Sequence, residues 1–109
     1  MEIAGKTVLI TGGSAGVGLA AAQRFLQFGA SVAITGRDGA RLAQAAAQLG
    51  AGDRVITIAW DAAEIARAGT VFAEVERRFG ALHVLVNNAG CNHRGLLEEL
   101  SQEELLHVL

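Results

Sequence analysis

Short apolar runs alternate along the chain with longer stretches in which apolar residues recur every three or four positions. The short runs are rich in β-branched residues and end at polar residues or glycines, which is typical of buried strands. The longer stretches have the period of helices that bury one side. The pattern predicts strands over residues 6–11, 31–35, 54–60 and 82–86, and helices over residues 17–28, 38–49 and 62–79, with a further helix opening at Ser101.

Capping residues mark the ends of these helices. Asp38 is a good N-cap residue for the second helix, and Gly69 interrupts the middle of the third. A glycine follows each helix where a left-handed residue commonly ends one, namely Gly29, Gly50 and Gly80. The apolar sides predicted to face the core carry Leu19, Ala22, Phe25 and Leu26 in the first helix, and Ile65, Val71, Phe72 and Val75 in the third.

The regular alternation of strands and helices predicts the topology. Strands that alternate with helices form a parallel sheet with helices on both faces. We therefore expect an α/β fold with a doubly wound sheet in the order 3-2-1-4, forming one domain over residues 1–109. Residues 82–86 are apolar on both faces, as in an interior strand, so we expect a further strand beside them and interpret the chain as truncated.

Composition and charge narrow the function classes. The chain has 109 residues, of which 51% are hydrophobic, and a net charge of −2, so no basic surface for nucleic acid is expected. It has neither a signal-peptide pattern nor an apolar run long enough to cross a membrane, which predicts a cytoplasmic protein without a membrane partner. Cys91 and His93 make only half of a zinc site, so we predict no metal.

The stretch TGGSAGVG at residues 11–18 joins the first strand to the first helix. Backbone N–H groups at a helix N-terminus have no partners within the helix, and together with the helix dipole they attract phosphates. Glycines allow a tight turn and a close approach of the phosphate to the backbone. The stretch therefore predicts a pyrophosphate site, with a glycine-rich turn that binds nothing as the alternative interpretation.

Three motifs compete for this loop. A P-loop requires Lys and Ser or Thr after its last glycine, but Leu19 and Ala20 follow Gly18, which excludes it. Gly16, Gly18 and Ala21 meet the dinucleotide fingerprint G-x-G-x-x-[GA], but about a turn later than the strand end. The pattern T-G-x-x-x-G-x-G begins at the strand end, as the geometry requires, and is met by Thr11, Gly12, Gly16 and Gly18.

Two further motifs follow other strands. The sequence NNAG at residues 87–90 follows the fourth strand, and Asp61 follows the third. With these and TGGSAGVG, the whole chain resembles the short-chain dehydrogenases/reductases, which implies a Rossmann-like fold and a nicotinamide cofactor. In that family the loop binds the pyrophosphate, the acid after the third strand binds the adenine, and NNAG lies by the cofactor and helps hold the sheet.

The resemblance implies a set of cofactor-binding positions in this chain. Gly12, Ser14, Ala15, Gly16, Val17 and Gly18 would surround the pyrophosphate, Arg37 would hold a 2′-phosphate, Asp61 and Ala62 would contact the adenine, and Asn88, Ala89 and Gly90 would lie by the nicotinamide-side ribose.

Residues after the second strand bear on the choice of cofactor. A carboxylate at that strand end would bind the ribose hydroxyls, whereas Arg37 suits a phosphate through its planar, permanently charged fork. This favours NADP(H). Asp38 keeps NAD(H) open, because it follows Gly18 at nearly the spacing of a ribose-binding carboxylate. The alternative interpretation is that Arg37 only covers the surface and that Asp38 caps a helix.

The catalytic positions of the family are not found in this chain. The family uses a Tyr-x-x-x-Lys pair with Ser and Asn, but the chain has no tyrosine and its single lysine is Lys6. The resemblance implies that all of them would follow Leu109. We therefore expect an oxidoreductase part that is inactive alone, from a parent that acts on a carbonyl or alcohol. The resemblance allows a homo-oligomeric parent and leaves its assembly open. A non-catalytic nucleotide-binding module and a methyltransferase that binds S-adenosylmethionine are the alternatives.

Overall fold

A computed structural model describes residues 2–88. The predicted helix at Ser101, and Ala89, Gly90, Cys91 and His93, lie outside the described residues. Every strand predicted within them is found, with ends that differ by up to two residues. The elements are β1 (Thr7–Thr11), α1 (Gly16–Gln27), β2 (Ser31–Gly36), α2 (Gly39–Leu49), β3 (Val55–Ala59), α3 (Ala68–Phe79) and β4 (Val84–Asn87), with short 3₁₀ turns at Gly52–Arg54 and Ile65–Arg67.

The strands form one parallel sheet in the order β3-β2-β1-β4, which confirms the predicted topology. In this register Thr11 at the end of β1 lies level with Thr35 of β2 and with Asn87 of β4. Gly36 of β2 lies level with Ala59 of β3. The carboxyl ends of all described strands therefore meet at one edge, which is where open α/β sheets bind ligands.

Helices cover both faces of the sheet. On one face α1 contributes Phe25 and Leu26, and α2 contributes Leu42, to a cluster built on Val8, Ile10, Val32 and Ile34 of the central strands. On the other face Val71 and Val75 of α3 pack with Leu9, Ala33, Ile56 and Trp60. Alternate residues of β1 and β2 enter different clusters, so the middle of each strand, residues 8–10 and 32–34, is apolar on both faces, as the short apolar runs predicted.

The third helix is shorter than predicted. α3 begins at Ala68 rather than Ala62, and Ile65, expected on its apolar side, is 79% exposed. The indole Nε1 of Trp60 donates to the Glu64 carbonyl at 3.1 Å, and the Asp61 carboxylate accepts from the Ala63 N–H at 3.0 Å. These bonds hold the segment after β3 in tight turns, so Asp61 caps a turn and does not cap α3.

Arg54 joins the C-terminal end of α1 to the start of β3. Its Nη2 donates to the carbonyls of Leu26, at 2.7 Å, and Ala30, at 2.8 Å, and its Nε donates to Ala30 at 3.2 Å. The guanidinium thus satisfies carbonyls at the negative end of the helix dipole. Gly29, with φ of 91°, ends the helix there, as the sequence predicted.

The last described strand begins later than predicted. Residues 82 and 83 precede β4, and the His83 ring Nδ1 accepts the Thr7 N–H at 2.9 Å while the His83 N–H donates to the Thr7 carbonyl. Leu85, on the strand expected to be interior, is 38% exposed. Within residues 2–88, none of the helices has the length and apolar character needed to cross a bilayer.

Candidate nucleotide-binding site

The glycine-rich loop leaves β1 at the carboxyl edge and turns directly into α1. Gly12 and Gly16 have φ of 68° and 58°, in the left-handed region that only glycine adopts at little cost. Apart from its chain neighbours and the backbone of α1 itself, a Cβ on Gly16 would have no atom of residues 2–88 within 4 Å, so within this part of the chain the space in front of the turn is open. The loop thus presents backbone to an unobstructed space, which is the form that a phosphate cradle requires.

The start of α1 lacks a side-chain cap. Ala15 is the N-cap residue, none of the described side chains bonds the first N–H groups of the helix, and its first turn contains no acid. α2 differs, because Asp38 caps it by accepting from the Ala40 N–H at 2.9 Å and the Arg41 N–H at 3.3 Å. The first turn of α1 therefore keeps the donors and the positive dipole end that an anion would use.

Gly18 brings α1 against both the loop and β4. A Cβ at this position would lie 3.0 Å from the Gly12 carbonyl carbon, in collision with the carbonyl oxygen, and 2.7 Å from Asn88 Nδ2. The first turn of the helix is therefore packed directly on the backbone of the loop. Only glycine permits this approach.

The end of β4 is bonded to the end of β1. The Asn88 N–H donates to Thr11 Oγ1 at 2.8 Å, and Asn88 Nδ2 donates to the Gly12 carbonyl at 3.0 Å. Thr11 Oγ1 in turn donates to Asn87 Oδ1 at 3.0 Å. This network, which we call the asparagine clamp, joins residues 11 and 12 to residues 87 and 88. It ties the glycine loop to the switch point of the sheet, where the strand order reverses.

Arg37 follows β2 beside the loop. It is exposed and, among the described residues, forms no hydrogen bond or ion pair. Ser14 reaches the same strand end, because its Oγ lies 3.6 Å from the position that a Cβ on Gly36 would occupy. The Asp38 carboxylate, the alternative ribose ligand, is already bonded to two N–H groups of α2. Of the two charged side chains after β2, Arg37 is thus the uncommitted one.

Asp61 and Ala62 stand at the end of β3. The Trp60 N–H donates to the Gly36 carbonyl at 2.9 Å, which continues the β2–β3 pairing one residue beyond the strand. Asp61 therefore emerges at the same edge as Gly36, and both it and Ala62 are partly exposed. One carboxylate oxygen of Asp61 accepts from Ala63.

Comparison with known proteins identifies the family. The sequence profile of the short chain dehydrogenases matches residues 6–109. The NADP-dependent (R)-specific alcohol dehydrogenase of Lentilactobacillus kefiri is 36% identical over 108 residues, which are 99% of this chain and 43% of that protein. The chain belongs to the short chain dehydrogenase family.

Solved structures of short chain dehydrogenases share the fold. A short-chain dehydrogenase/reductase (glucose/ribitol dehydrogenase) from Brucella melitensis has a TM-score of 0.78 and 34% identity, over 85% of this chain and 39% of that one. The 3-ketoacyl-(acyl-carrier-protein) reductase of the same organism, solved with NADH, has a TM-score of 0.75 and 36% identity, over 84% and 37%. The chain spans less than half the length of these relatives.

Most of the residues singled out from the sequence lie at the carboxyl edge of the sheet, where doubly wound folds bind ligands. Residues 12–18, Arg37, Asp61 and Asn88 all follow the carboxyl ends of strands. Across residues 2–88 there is no group of three or more His, Cys, Asp or Glu side chains that could hold a metal ion. Ala89 and Gly90 lie outside this part of the chain, so their roles stay predictions.

The sequence interpretation missed two residues at this edge of the short chain dehydrogenase sheet. Gly13 donates its N–H to the Thr35 carbonyl at 3.0 Å and is buried, although it occupies a variable position of the loop motif. The Thr35 hydroxyl is fully buried and has no hydrogen-bond partner among residues 2–88. The surroundings of Gly13 and Thr35 depend on the register of β1 against β2, and only the three-dimensional structure gives that register.

Proposed function

We propose that the chain is the NAD(P)(H)-binding part of a short chain dehydrogenase that transfers hydride between NADP(H) and a carbonyl or alcohol carbon. The observation that carries the proposal is the first turn of α1, which among residues 2–88 has no side-chain cap and faces open space at Gly16. A bound nicotinamide would supply or accept the hydride. The residues of this chain would bind and orient the cofactor.

The pyrophosphate would lie on residues 12–18. Free N–H groups and the dipole of α1 provide the attraction, and the left-handed glycines keep side chains out of the path. The asparagine clamp supports this role, because it fixes the loop before any ligand arrives and so lowers the entropy that binding must remove. Asp61 with Ala62 would contact the adenine, and Asn88 to Gly90 would lie by the nicotinamide-side ribose.

We favour NADP(H) over NAD(H). Arg37 is an uncommitted cation at the strand end, whereas Asp38 is occupied as a helix cap. An arginine fork binds a phosphate with charge-assisted hydrogen bonds worth about 1.5–3 kcal/mol. Among the relatives, the Lentilactobacillus kefiri enzyme is NADP-dependent, while the Brucella melitensis reductase was solved with NADH.

The test is a titration of the 109-residue chain with NADPH and with NADH, by calorimetry or by the fluorescence of Trp60, the single tryptophan. We expect Arg37→Met to weaken NADPH about tenfold to a hundredfold, the equivalent of the lost phosphate bonds, and to leave NADH unchanged. Arg78→Met, on the exposed end of α3, is the matched control and should change neither affinity. Equal loss for both nucleotides would refute the role of Arg37, and an absence of binding would refute the proposed function.

We propose that this chain alone does not catalyse the reaction. Carbonyl reduction needs a group that donates a proton to the developing alkoxide. The chain has no tyrosine, and Lys6 precedes β1 at the opposite edge of the sheet. Substrate-dependent oxidation of NADPH by the purified chain, measured across a panel of aldehydes and ketones, would contradict this.

The missing tyrosine also favours a second candidate, a non-catalytic nucleotide-binding module. Both candidates predict nucleotide binding, so the coding sequence after codon 109 distinguishes them. An in-frame continuation with Tyr-x-x-x-Lys supports the enzyme, and a stop codon supports the module. A parallel titration with S-adenosylmethionine tests the methyltransferase alternative. The cytoplasmic location, the carbonyl or alcohol substrate and the homo-oligomeric parent stay predictions.

A further inference from the structure

Gly13 lies against the side chain of Ile34 in the neighbouring strand. A Cβ on Gly13 would be 2.6 Å from Ile34 Cγ2 and 2.7 Å from Ile34 Cβ, and 3.4 Å from the Ile10 carbonyl oxygen. Carbon atoms in favourable contact are about 3.5–4.0 Å apart. The loop backbone therefore rests on Ile34 so closely that no side chain fits between them. Gly13 has no left-handed φ, so this approach is what requires glycine here.

Neither side of this contact can yield easily. Ile34 is fully buried in the cluster between the sheet and α1 and α2, and its Cβ and Cγ2 are fixed by the branch at χ1. Gly13 is held against the same strand by its N–H bond to the Thr35 carbonyl. The asparagine clamp holds Gly12 next to it. An added methyl would thus have to displace the loop from the sheet by about 1 Å.

We propose that Ile34 is a positioning residue for the nucleotide-binding loop and acts through Gly13. Its β-branched methyl sets the height of the loop above β2, and hence the position of the first N–H groups of α1 toward the pyrophosphate. This inference rests on the proposed function of the loop. Phosphate binding by a rigid row of N–H groups is sensitive to displacements of this size.

The contact between Gly13 and Ile34 should affect the binding of the pyrophosphate and not that of the 2′-phosphate. The pyrophosphate is common to NADPH and NADH, so a displaced loop weakens both nucleotides equally. Arg37, in contrast, would bind only the 2′-phosphate, which NADH lacks. An equal loss for both nucleotides is therefore the signature that separates the Gly13–Ile34 contact from the cofactor-selecting residue.

The test compares the wild-type chain, Gly13→Ala, and Gly13→Ala combined with Ile34→Leu or with Ile34→Val. Leucine removes the methyl branch from Cβ at constant volume, whereas valine retains it. We expect Gly13→Ala to weaken NADPH and NADH alike by about tenfold. The leucine double variant should recover about half of that loss on a logarithmic scale, because the Cβ contact remains, and the valine double variant should recover none.

Gly69→Ala is the control, because beyond the backbone of α3 and its chain neighbours a Cβ at Gly69 meets no atom of the described residues within 4 Å; this variant should bind both nucleotides as the wild type does. Thermal midpoints are recorded in parallel, and affinities are measured well below them. If Gly13→Ala does not fold, the two double variants decide the question. The inference is overturned if Gly13→Ala binds as the wild type does, if leucine and valine behave alike, or if only NADPH is affected. A wild-type chain that binds neither nucleotide overturns the proposed function first.

Discussion

Replacing Arg54 tests how α1 is held at the end remote from the nucleotide site. The guanidinium makes three hydrogen bonds to the carbonyls of Leu26 and Ala30. Arg54→Met keeps most of the apolar stem but removes the charge and all donors. Ala30 is fully buried, so its carbonyl would lose partners in a poorly hydrated place.

The expected cost follows from these bonds. A hydrogen bond to a charged group contributes about 1.5–3 kcal/mol when it is shielded, and a cation near a helix C-terminus about 0.3–1 kcal/mol. Arg54 itself is exposed, so solvent screens its charge and the lower part of this range applies. We expect Arg54→Met to lower the free energy of unfolding by about 1.5 kcal/mol, or the thermal midpoint by about 8 °C for a domain of this size.

The assay is thermal unfolding followed by far-ultraviolet circular dichroism, with urea unfolding as a second measure. The stability of Arg54→Lys should lie between those of the wild type and Arg54→Met, since one ammonium cannot reproduce the guanidinium fork that spans two carbonyls. Arg78→Met removes an exposed arginine from α3 and should stay within about 0.5 kcal/mol of the wild type. The reasoning fails if Arg54→Met is no more harmful than Arg78→Met, because the bonds to α1 would then contribute nothing.

Three further predictions concern stability. Gly18→Ala should lower the free energy of unfolding by about 1–3 kcal/mol, because the added Cβ collides with Gly12 and Asn88. Gly69→Ala should raise it by about 0.5–1 kcal/mol. If urea unfolding shows that both variants change stability in the same direction, the close packing at the start of α1 is contradicted. Thr35→Val removes a buried hydroxyl that has no partner among the described residues and should raise the free energy of unfolding by about 1 kcal/mol, so a lower thermal midpoint would show that the hydroxyl has a partner. The Arg77 hydrogen bond holds the pKa of Glu74 below its ordinary value, so the small contribution of this pair is present above the ordinary glutamate pKa and lost as pH falls through the lowered one. The thermal midpoints of wild type and Glu74→Gln should therefore converge in acid, and a gap that persists there refutes the pairing.

The helices, the strands and their order in the sheet could be predicted from local sequence patterns. Strand order and parallel pairing followed from the alternation of strands and helices, because parallel neighbours require a crossover and crossovers have one hand. Asp38, Gly50 and Gly80 marked helix ends because capping depends on residues within one turn. The same locality explains why the position of the glycine loop between β1 and α1 was predictable.

What the sequence could not predict depends on residues that meet only in the fold. The start of α3 was wrong because the Trp60 indole takes the Glu64 carbonyl, a bond that no periodicity reveals. The need for glycine at position 13 comes from Ile34, 21 positions later, through the register of β1 against β2. The donors and acceptors of the asparagine clamp likewise follow from strand register, although the presence of NNAG after β4 was visible.

The asparagine clamp also has a consequence for the order of events in folding. Its bond from Asn88 to Thr11 joins residues 77 positions apart, while the loop it fixes forms in the first fifth of the chain. Contacts of such long sequence separation close late, because the entropy of the intervening chain must be lost first. The glycine loop therefore reaches its final geometry only when β4 joins β1. Any ligand that recognises the finished loop favours the completed sheet by mass action, so its binding reports that the last described strand has docked.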